Sequence, residues 1–361
     1  MLNFCTLFNT TYISRGVAMY ESLERQCPSF NLYIFAFDQV CFDTLTRLSL
    51  KNAIIISLSE FEDKELLAIK PTRSPGEYCW TCTPSTILYC IKKYNLNKCT
   101  YIDADLLFFA DPTILIEELG ETHSVLITEH RYTQKYDQRT TSGKYCVQFI
   151  TFKNDQNGLT ALNWWRNACL EWCFNRFEDN KFGDQKYLDD WLTRFEGVKE
   201  LQNLGGGVAP WNVQQYVFKR NNNRVVGKEL SSGKDFNLVF YHFHDFKYAV
   251  SNIFLFTNSY ALTNYVVKLI YKPYATSLTY AEAKLKTVNP TIKPHEEINI
   301  NWLGRSLRKT LRITLLGHYK NYYRKNYLLN NGLSNHLTPY LSKCTFFKNL
   351  THLDLFSLSK D

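Results

Sequence analysis

No apolar run in this chain of 361 residues approaches the roughly 20 consecutive residues that a membrane-spanning helix needs. The opening Met1-Leu2-Asn3-Phe4-Cys5-Thr6-Leu7-Phe8 lacks a basic leader and a small-residue cleavage site. It reads as a strand, and the expected location is cytoplasmic, with membrane association at the inner face as an option. No GxGxxG follows that strand, which weighs against a dinucleotide dehydrogenase, and Gly205-Gly206-Gly207 lacks the GK[ST] of a phosphate-binding P-loop. Cys79 and Cys82 have the spacing of half a zinc site, but no second CxxC or HxxxH follows. Only Cys169 and Cys173, one helical turn apart, could complete four ligands. In a cytoplasmic chain the eleven cysteines then read as small, reduced core residues. Repeats and low-complexity segments are absent too.

What is present is a large potential core, with 45% hydrophobic and 16% aromatic residues, enough for one big domain plus an appendage. Asn3 to Phe8, Leu32 to Phe37 and Ala53 to Ile56 read as strands. Arg15 to Arg25 and Phe42 to Leu50 read as helices between and after them. Strands apolar on both faces, alternating with helices, predict an α/β fold with a mainly parallel sheet covered on both sides. Ligands of such sheets bind beyond the carboxyl ends of the strands. Phe8, Asn9 and Tyr12 follow the first strand and Asp38 the second, an aromatic, amide and acid set that would suit a nucleobase and its ribose.

The most informative stretch is Thr100-Tyr101-Ile102-Asp103-Ala104-Asp105-Leu106-Leu107-Phe108-Phe109-Ala110-Asp111-Pro112. A buried strand ends in two carboxylates, two residues apart and so on one face when extended. Burying an unpaired ionised group costs several kcal/mol. A divalent cation removes that cost, and oxygen ligands suit Mg²⁺ or Mn²⁺.

Farther on, Tyr145 to Phe152 is a strand with Gln148 as an anomalous polar residue and a candidate substrate contact. Leu162 to Phe174 is a helix whose Trp164, Trp165 and Trp172 form a core stripe. Gly183-Asp184 looks like a helix start with Asp184 as cap. In Leu204 to Asn212 the glycines allow close approach, and Gly206, Trp211 and Asn212 are read as a loop around a sugar. Leu238 to Lys247 is an apolar strand carrying His242 and His244 on one face, which places a metal ligand among them.

Tyr-Ile-Asp-Ala-Asp-Leu with the later Asp-Pro resembles the DXD segment of GT-A glycosyltransferases, the retaining family-eight type especially, over roughly the first 250 residues. The resemblance implies a GT-A fold and transfer of a sugar from a nucleotide sugar, a UDP-sugar, to an acceptor hydroxyl with Mn²⁺ or Mg²⁺ and retention. A glycan or glycolipid acceptor in cell-surface glycan synthesis is expected, and no nucleic acid. It implies that Asp184 and Gln185 lie against the donor sugar, and that the stretch from Arg73 to Ser85, with Arg73 and Thr83, touches the donor. Thr83 with Pro84 would open a helix there. His242 takes the place of the third metal ligand, and Lys247 that of a pyrophosphate contact. Asp245 stands where the family pattern has Gly and Lys247 comes one residue early, so His244 is the alternative ligand. A nucleotidyltransferase and a non-catalytic sugar- or nucleic-acid-binding protein are the competing readings.

The expected division is a catalytic domain over 1–250 and a basic, helical extension over 251–361, with helices at Tyr260 to Tyr271 and Tyr280 to Lys286. Net charge is +8, and the excess is concentrated late. Asn301 to Tyr327 holds Arg305, Arg308, Lys309, Arg312, Lys320, Arg324 and Lys325 without an acid. Leu303, Leu307, Leu311 and Leu315 recur every four residues, with Trp302 at the end. Two readings stay open: a helix lying in an anionic membrane surface, or a leucine face packed on the catalytic domain.

Overall fold

A computed structural model describes residues 1–330. The chain divides into two compact units, one of 1–246 and 257–296, the other of 247–256 and the described residues from 297 on.

The larger unit is built on a seven-stranded sheet. Its strands are β1 (Leu2–Phe8), β2 (Phe30–Ala36), β3 (Ala53–Ser57), β4 (Lys98–Ile102), β6 (Val125–Glu129), β7 (Tyr145–Lys153) and β8 (Val198–Glu200). They are ordered β3-β2-β1-β4-β7-β6-β8. Strands β1 to β4 run parallel, β7 runs antiparallel to β4 and β6, and β8 runs parallel to β6. The expected mainly parallel α/β sheet is therefore present, and β1 and β2 are buried along most of their length, as strands covered by helices must be. Between β4 and β6 lies β5 (Leu106–Phe108), which pairs antiparallel with β12 (Phe240–His242). A three-stranded antiparallel sheet contains β9 (Tyr216–Asn221), β10 (Arg224–Glu229) and β11 (Asp235–Asn237).

Helix starts follow local chemistry. Asp38 caps Gln39–Leu48 by accepting from the Cys41 N–H, and Asp155 caps Gln156–Glu171 through Gly158. Helix Pro75–Lys93 corrects the expectation that a helix opens at Thr83-Pro84. It begins about two and a half turns earlier, because Ser74 and Glu77 form a reciprocal capping box with Pro75 at the first position, where a proline's missing N–H costs nothing. Pro84 lies inside this helix, and Thr83 bonds back to the Cys79 carbonyl instead of capping. The tryptophan stripe does pack inward: Trp165 is fully buried, stacked on Phe152 and edge-on to Trp191. The four cysteines considered for zinc do not converge into a ligand set among the described residues.

The boundary expected at residue 250 is displaced. Residues 257–296 belong to the larger unit, where one π-helical turn, Val267–Tyr271, runs into helix Lys272–Val288. Pro273 sits in that helix's first turn and does not break it. Tyr274, Leu278, Ala281 and Leu285 form its buried face, and Lys284 pairs with Glu21 at 3.1 Å. The smaller unit is not simply helical, since it holds a five-stranded sheet. Its strands are β13 (Lys247–Ala249), β14 (Ile253–Leu255), β15 (Glu297–Ile298), β16 (His318–Tyr319) and β17 (Tyr322–Arg324), in the order β15-β13-β14-β17-β16. Beside it stands helix Leu307–Leu316. Among the described residues no helix is long and apolar enough to cross a membrane.

Candidate metal and donor site

Three backbone bonds bring the functional side chains together. The Asp103 N–H donates to the Gln148 carbonyl at 3.1 Å, extending the β4–β7 register by one residue. The Phe243 N–H donates to the Asp105 carbonyl at 3.0 Å, and the His242 N–H to the Val208 carbonyl at 2.9 Å. As a result His242 Nε2 lies 3.2 Å from Asp105 Oδ1 and 3.7 Å from Asp103 Oδ2. One ligand atom from each residue lies within 4.8 Å of the other two.

The electrostatics of the three groups are set by burial and by one another. Burial pushes the Asp103 carboxyl up to about 6 against the pull of His242, and the Asp105 charge adds to the rise. Burial acts against charge on His242, yet Asp105 and then Cys146 and Asp103 lift the imidazole well above its ordinary value. Burial likewise acts against charge on Asp105, but His242 outweighs it and the carboxyl is lowered. A positive charge is thus drawn into the space between the two carboxylates. Two carboxylate oxygens and an imidazole nitrogen fit a divalent cation such as Mn²⁺ or Mg²⁺.

His244 stays outside this cluster. Its ring is exposed, with its centre 5.9 Å from that of His242. The strand has ended before it, and the backbone turns at Asp245, whose φ is 63°. That is the left-handed region glycine prefers and Asp tolerates, so the turn is made here without a glycine. The Asp245 carboxylate accepts from the Asn258 N–H at 2.8 Å. Lys247 opens β13 in the smaller unit.

Asp184 reaches the same site without capping anything. Gly183, at φ 53°, turns the chain so that Asp184 points inward and is 6% exposed. The following 3₁₀ turn, Lys186–Asp190, has no side-chain cap. Burial, with the Asp103 charge adding, pushes the Asp184 carboxyl up to about 8, while the Thr83 hydroxyl pulls the other way. Gln148 is fully buried, and neither its amide oxygen nor its nitrogen has a partner among the described residues. A buried amide left unpaired costs about 1–3 kcal/mol, and this one belongs to the residue whose carbonyl accepts from the Asp103 N–H.

Other expected contacts are taken up elsewhere. Phe8 packs its ring where a side chain on Gly16 would stand, and is 2% exposed. The Asp38 carboxylate is held by Thr10 and Cys41, and Asn9 accepts from the Thr11 hydroxyl. Tyr12 stays accessible with the Arg15 guanidinium 4.2 Å above its ring. Arg73 caps the carboxyl end of helix Gln156–Glu171, donating to the Leu170 and Glu171 carbonyls, with Phe174 under its guanidinium. The Gln185 amide donates to the Ser142 carbonyl at 2.7 Å, tying down the segment before β7.

The glycine loop is a scaffold for the histidines. Gly206 faces Leu115 and Leu201, and its carbonyl accepts from Arg131, which also grips the Leu201 and Asn203 carbonyls. Asn212 is fully buried, with its amide donating to the His130 and Gly207 carbonyls. Trp211 donates to the His130 carbonyl and sets its ring edge-on to His242, centres 5.4 Å apart. Trp211 and Asn212 are thus held by the carbonyls behind them, and Trp211 packs against the His242 ring. Gly205 is the tightest point: a Cβ there would stand 2.1 Å from the Asn237 carbonyl oxygen. Gly205→Ala is expected to lower stability by about 2–4 kcal/mol, and an unchanged urea midpoint would refute this packing.

The sequence reading missed Arg15, Arg131 and Cys146. Only Arg15 had a local signal, one turn after Tyr12. Arg131 acts across more than 70 residues of sequence, and Cys146 is named only by its closeness to His242.

The fold and site define an α/β chain with an acid-and-histidine cluster at the carboxyl end of a mainly parallel sheet. No family model matches the chain. It is 30% identical over 283 residues to the uncharacterized protein YfnD of Bacillus subtilis (strain 168), covering 76% of this chain and 88% of that protein. Protein YfnF of the same organism, also uncharacterized, is 29% identical over 295 residues, covering 80% and 95%. The chain belongs to the family of YfnD. Among solved structures, an active-site mutant of LgtC matches with a TM-score of 0.41 at 12% identity, covering 67% of this chain and 86% of that one. Mouse xyloside xylosyltransferase 1 matches with a TM-score of 0.41 at 13% identity, covering 67% and 97%.

Proposed function

We propose that this protein is a metal-dependent glycosyltransferase that moves a sugar from a nucleotide-diphosphate donor, a UDP-sugar, to an acceptor hydroxyl on a glycan or glycolipid, with retention. The observation that supports it best is the convergence of Asp103, Asp105 and His242 beside the buried Asp184 and the unpaired amide of Gln148. Asp103, Asp105 and His242 would hold Mn²⁺ or Mg²⁺, which when bound supplies charge neutralisation for a departing diphosphate. Asp184, as carboxylate, would face positive charge developing at the anomeric carbon. Gln148 carries an acceptor and two donors on the strand beside Asp103, which sugar hydroxyls would reach once the side chains enclosing it move. Gln185, through Ser142, would keep the neighbouring segment in place. The UDP donor and the retention rest on the family-eight resemblance of the DXD segment.

Release of UDP from a panel of UDP-sugars, with and without Mn²⁺, tests the reading, and no release from any of them would overturn it. His242→Ala is expected to lower Mn²⁺-dependent turnover by roughly two to three orders of magnitude. His244→Ala, outside the cluster, is expected to stay within about tenfold of the wild type. Equal losses in the two variants would contradict the ligand assignment, and Mn²⁺ titration followed by electron paramagnetic resonance checks it independently of turnover.

A further inference from the structure

Helix Leu307–Leu316 turns its leucines outward. Leu307 is 75% exposed, Leu311 44% and Leu315 37%. Ile313 instead, 1% exposed, packs with Ala249, Ile253 and Ile300 in the smaller unit's core. At 3.6 residues per turn, the three leucines lie within an arc of about 80°, centred roughly opposite Ile313. Arg308 and Arg312 follow on the next arc, and Arg305 is exposed just before the helix. Lys309 lies beyond them, over the Tyr319 ring. Leu307, Leu311 and Leu315 are therefore not the face by which this helix is packed among the described residues, whereas Leu303 and Trp302, before the helix, lie against that core.

We propose that this helix is a docking surface for an anionic lipid bilayer, the leucines entering the interface and Arg305, Arg308 and Arg312 meeting the headgroups. Charge complementarity selects that occupant. In a symmetric pair of copies the same patch would face itself, bringing Arg308 and Arg312 against like charges. A bilayer surface supplies both the apolar layer and the opposite charge in one partner. The inference does not depend on the transferase reading, because binding is measured without substrate.

The test is flotation of the full chain with vesicles of phosphatidylcholine alone or containing about one-third phosphatidylglycerol. Binding is expected only with the anionic lipid, and is expected to fall as salt shortens the screening length to a few ångströms. Arg308→Glu with Arg312→Glu should lower the partition coefficient by at least about tenfold. Leu307→Ser with Leu311→Ser and Leu315→Ser should do the same. Both sets change exposed side chains apart from the half-buried Arg312, so melting temperatures should hold, and the charge pair alone decides if the leucine triple does not fold. UDP release by the charge variant should match the wild type, which separates failure of docking from failure of the transferase reading. Equal binding to both vesicles, or none to either, would overturn the proposal. So would a dimer in sedimentation that the leucine variant dissociates, or binding to duplex DNA in place of vesicles.

Discussion

Asp105→Asn is expected to abolish Mn²⁺-dependent UDP release, with turnover falling on the order of a thousandfold, a loss of ~4 kcal/mol in transition-state stabilisation. The amide keeps the size of the carboxylate but removes its charge and half its ligand capacity. Asp105 is also the nearer carboxylate to His242 Nε2, at 3.2 Å against 3.7 Å for Asp103. Binding of a divalent cation must displace the proton that Asp105, more than any other group, holds on His242. Mn²⁺ affinity in the wild type should therefore rise with pH. In Asp105→Asn the imidazole loses its strongest anchor, so the affinity should be lower throughout and less dependent on pH. Circular dichroism should show the fold intact. Undiminished Mn²⁺-dependent turnover in this variant would remove the basis of the metal site.

Why Asp105 was legible in the sequence, while other positions were not, follows from how each signal is written. Acids at the end of an apolar strand announce a cost that something must offset, and the same logic applied to His242 at the end of β12. The parallel sheet was legible because β1 and β2 are apolar on both faces. Side-chain direction beyond a strand end is not written locally. Phe8 looked like a base-stacking ring, but the absence of a side chain at Gly16 lets it pack inward. Trp211 and Asn212 looked like sugar contacts, but the His130 carbonyl, some eighty residues away, accepts from both. Arg73 looked like a donor contact, but the open carbonyls at the end of helix Gln156–Glu171 were better partners. Ser74-Pro75-Gly76-Glu77 carries the capping-box pattern, and it outweighs the more conspicuous Thr83-Pro84 as the helix start. The return of residues 257–296 to the larger unit brings contacts such as Phe243 stacked on Tyr274 and Lys284 paired with Glu21, which no local pattern encodes.

Asp184→Asn should separate function from stability in opposite directions. A carboxyl that only capped a helix would cost stability when changed, since a lost cap is worth about 1 kcal/mol. Asp184 caps nothing here; it is buried beside Asp103, and its side chain is held in a state that resists ionisation. In the unfolded chain such a carboxyl ionises near 3.8, and in the folded chain near about 8. Folding is therefore linked to proton uptake between those values. The stability this group contributes is complete below the unfolded value and is lost as pH rises through the folded one. The slope is at most ~1.4 kcal/mol per pH unit. The amide has no proton to lose, so in EDTA Asp184→Asn should gain on the wild type steadily from about pH 4 to about pH 8. With Mn²⁺ bound, turnover should fall by about a thousandfold at the pH of greatest wild-type activity if the carboxylate faces the anomeric carbon. Urea unfolding across pH and UDP release at saturating Mn²⁺ measure the two effects separately. A variant less stable than wild type at pH 7 would mean that the carboxylate is paired rather than strained. A variant with full turnover would leave Asp184 as a buried acid without a catalytic part, and the site would then have to orient its donor through Gln148 alone.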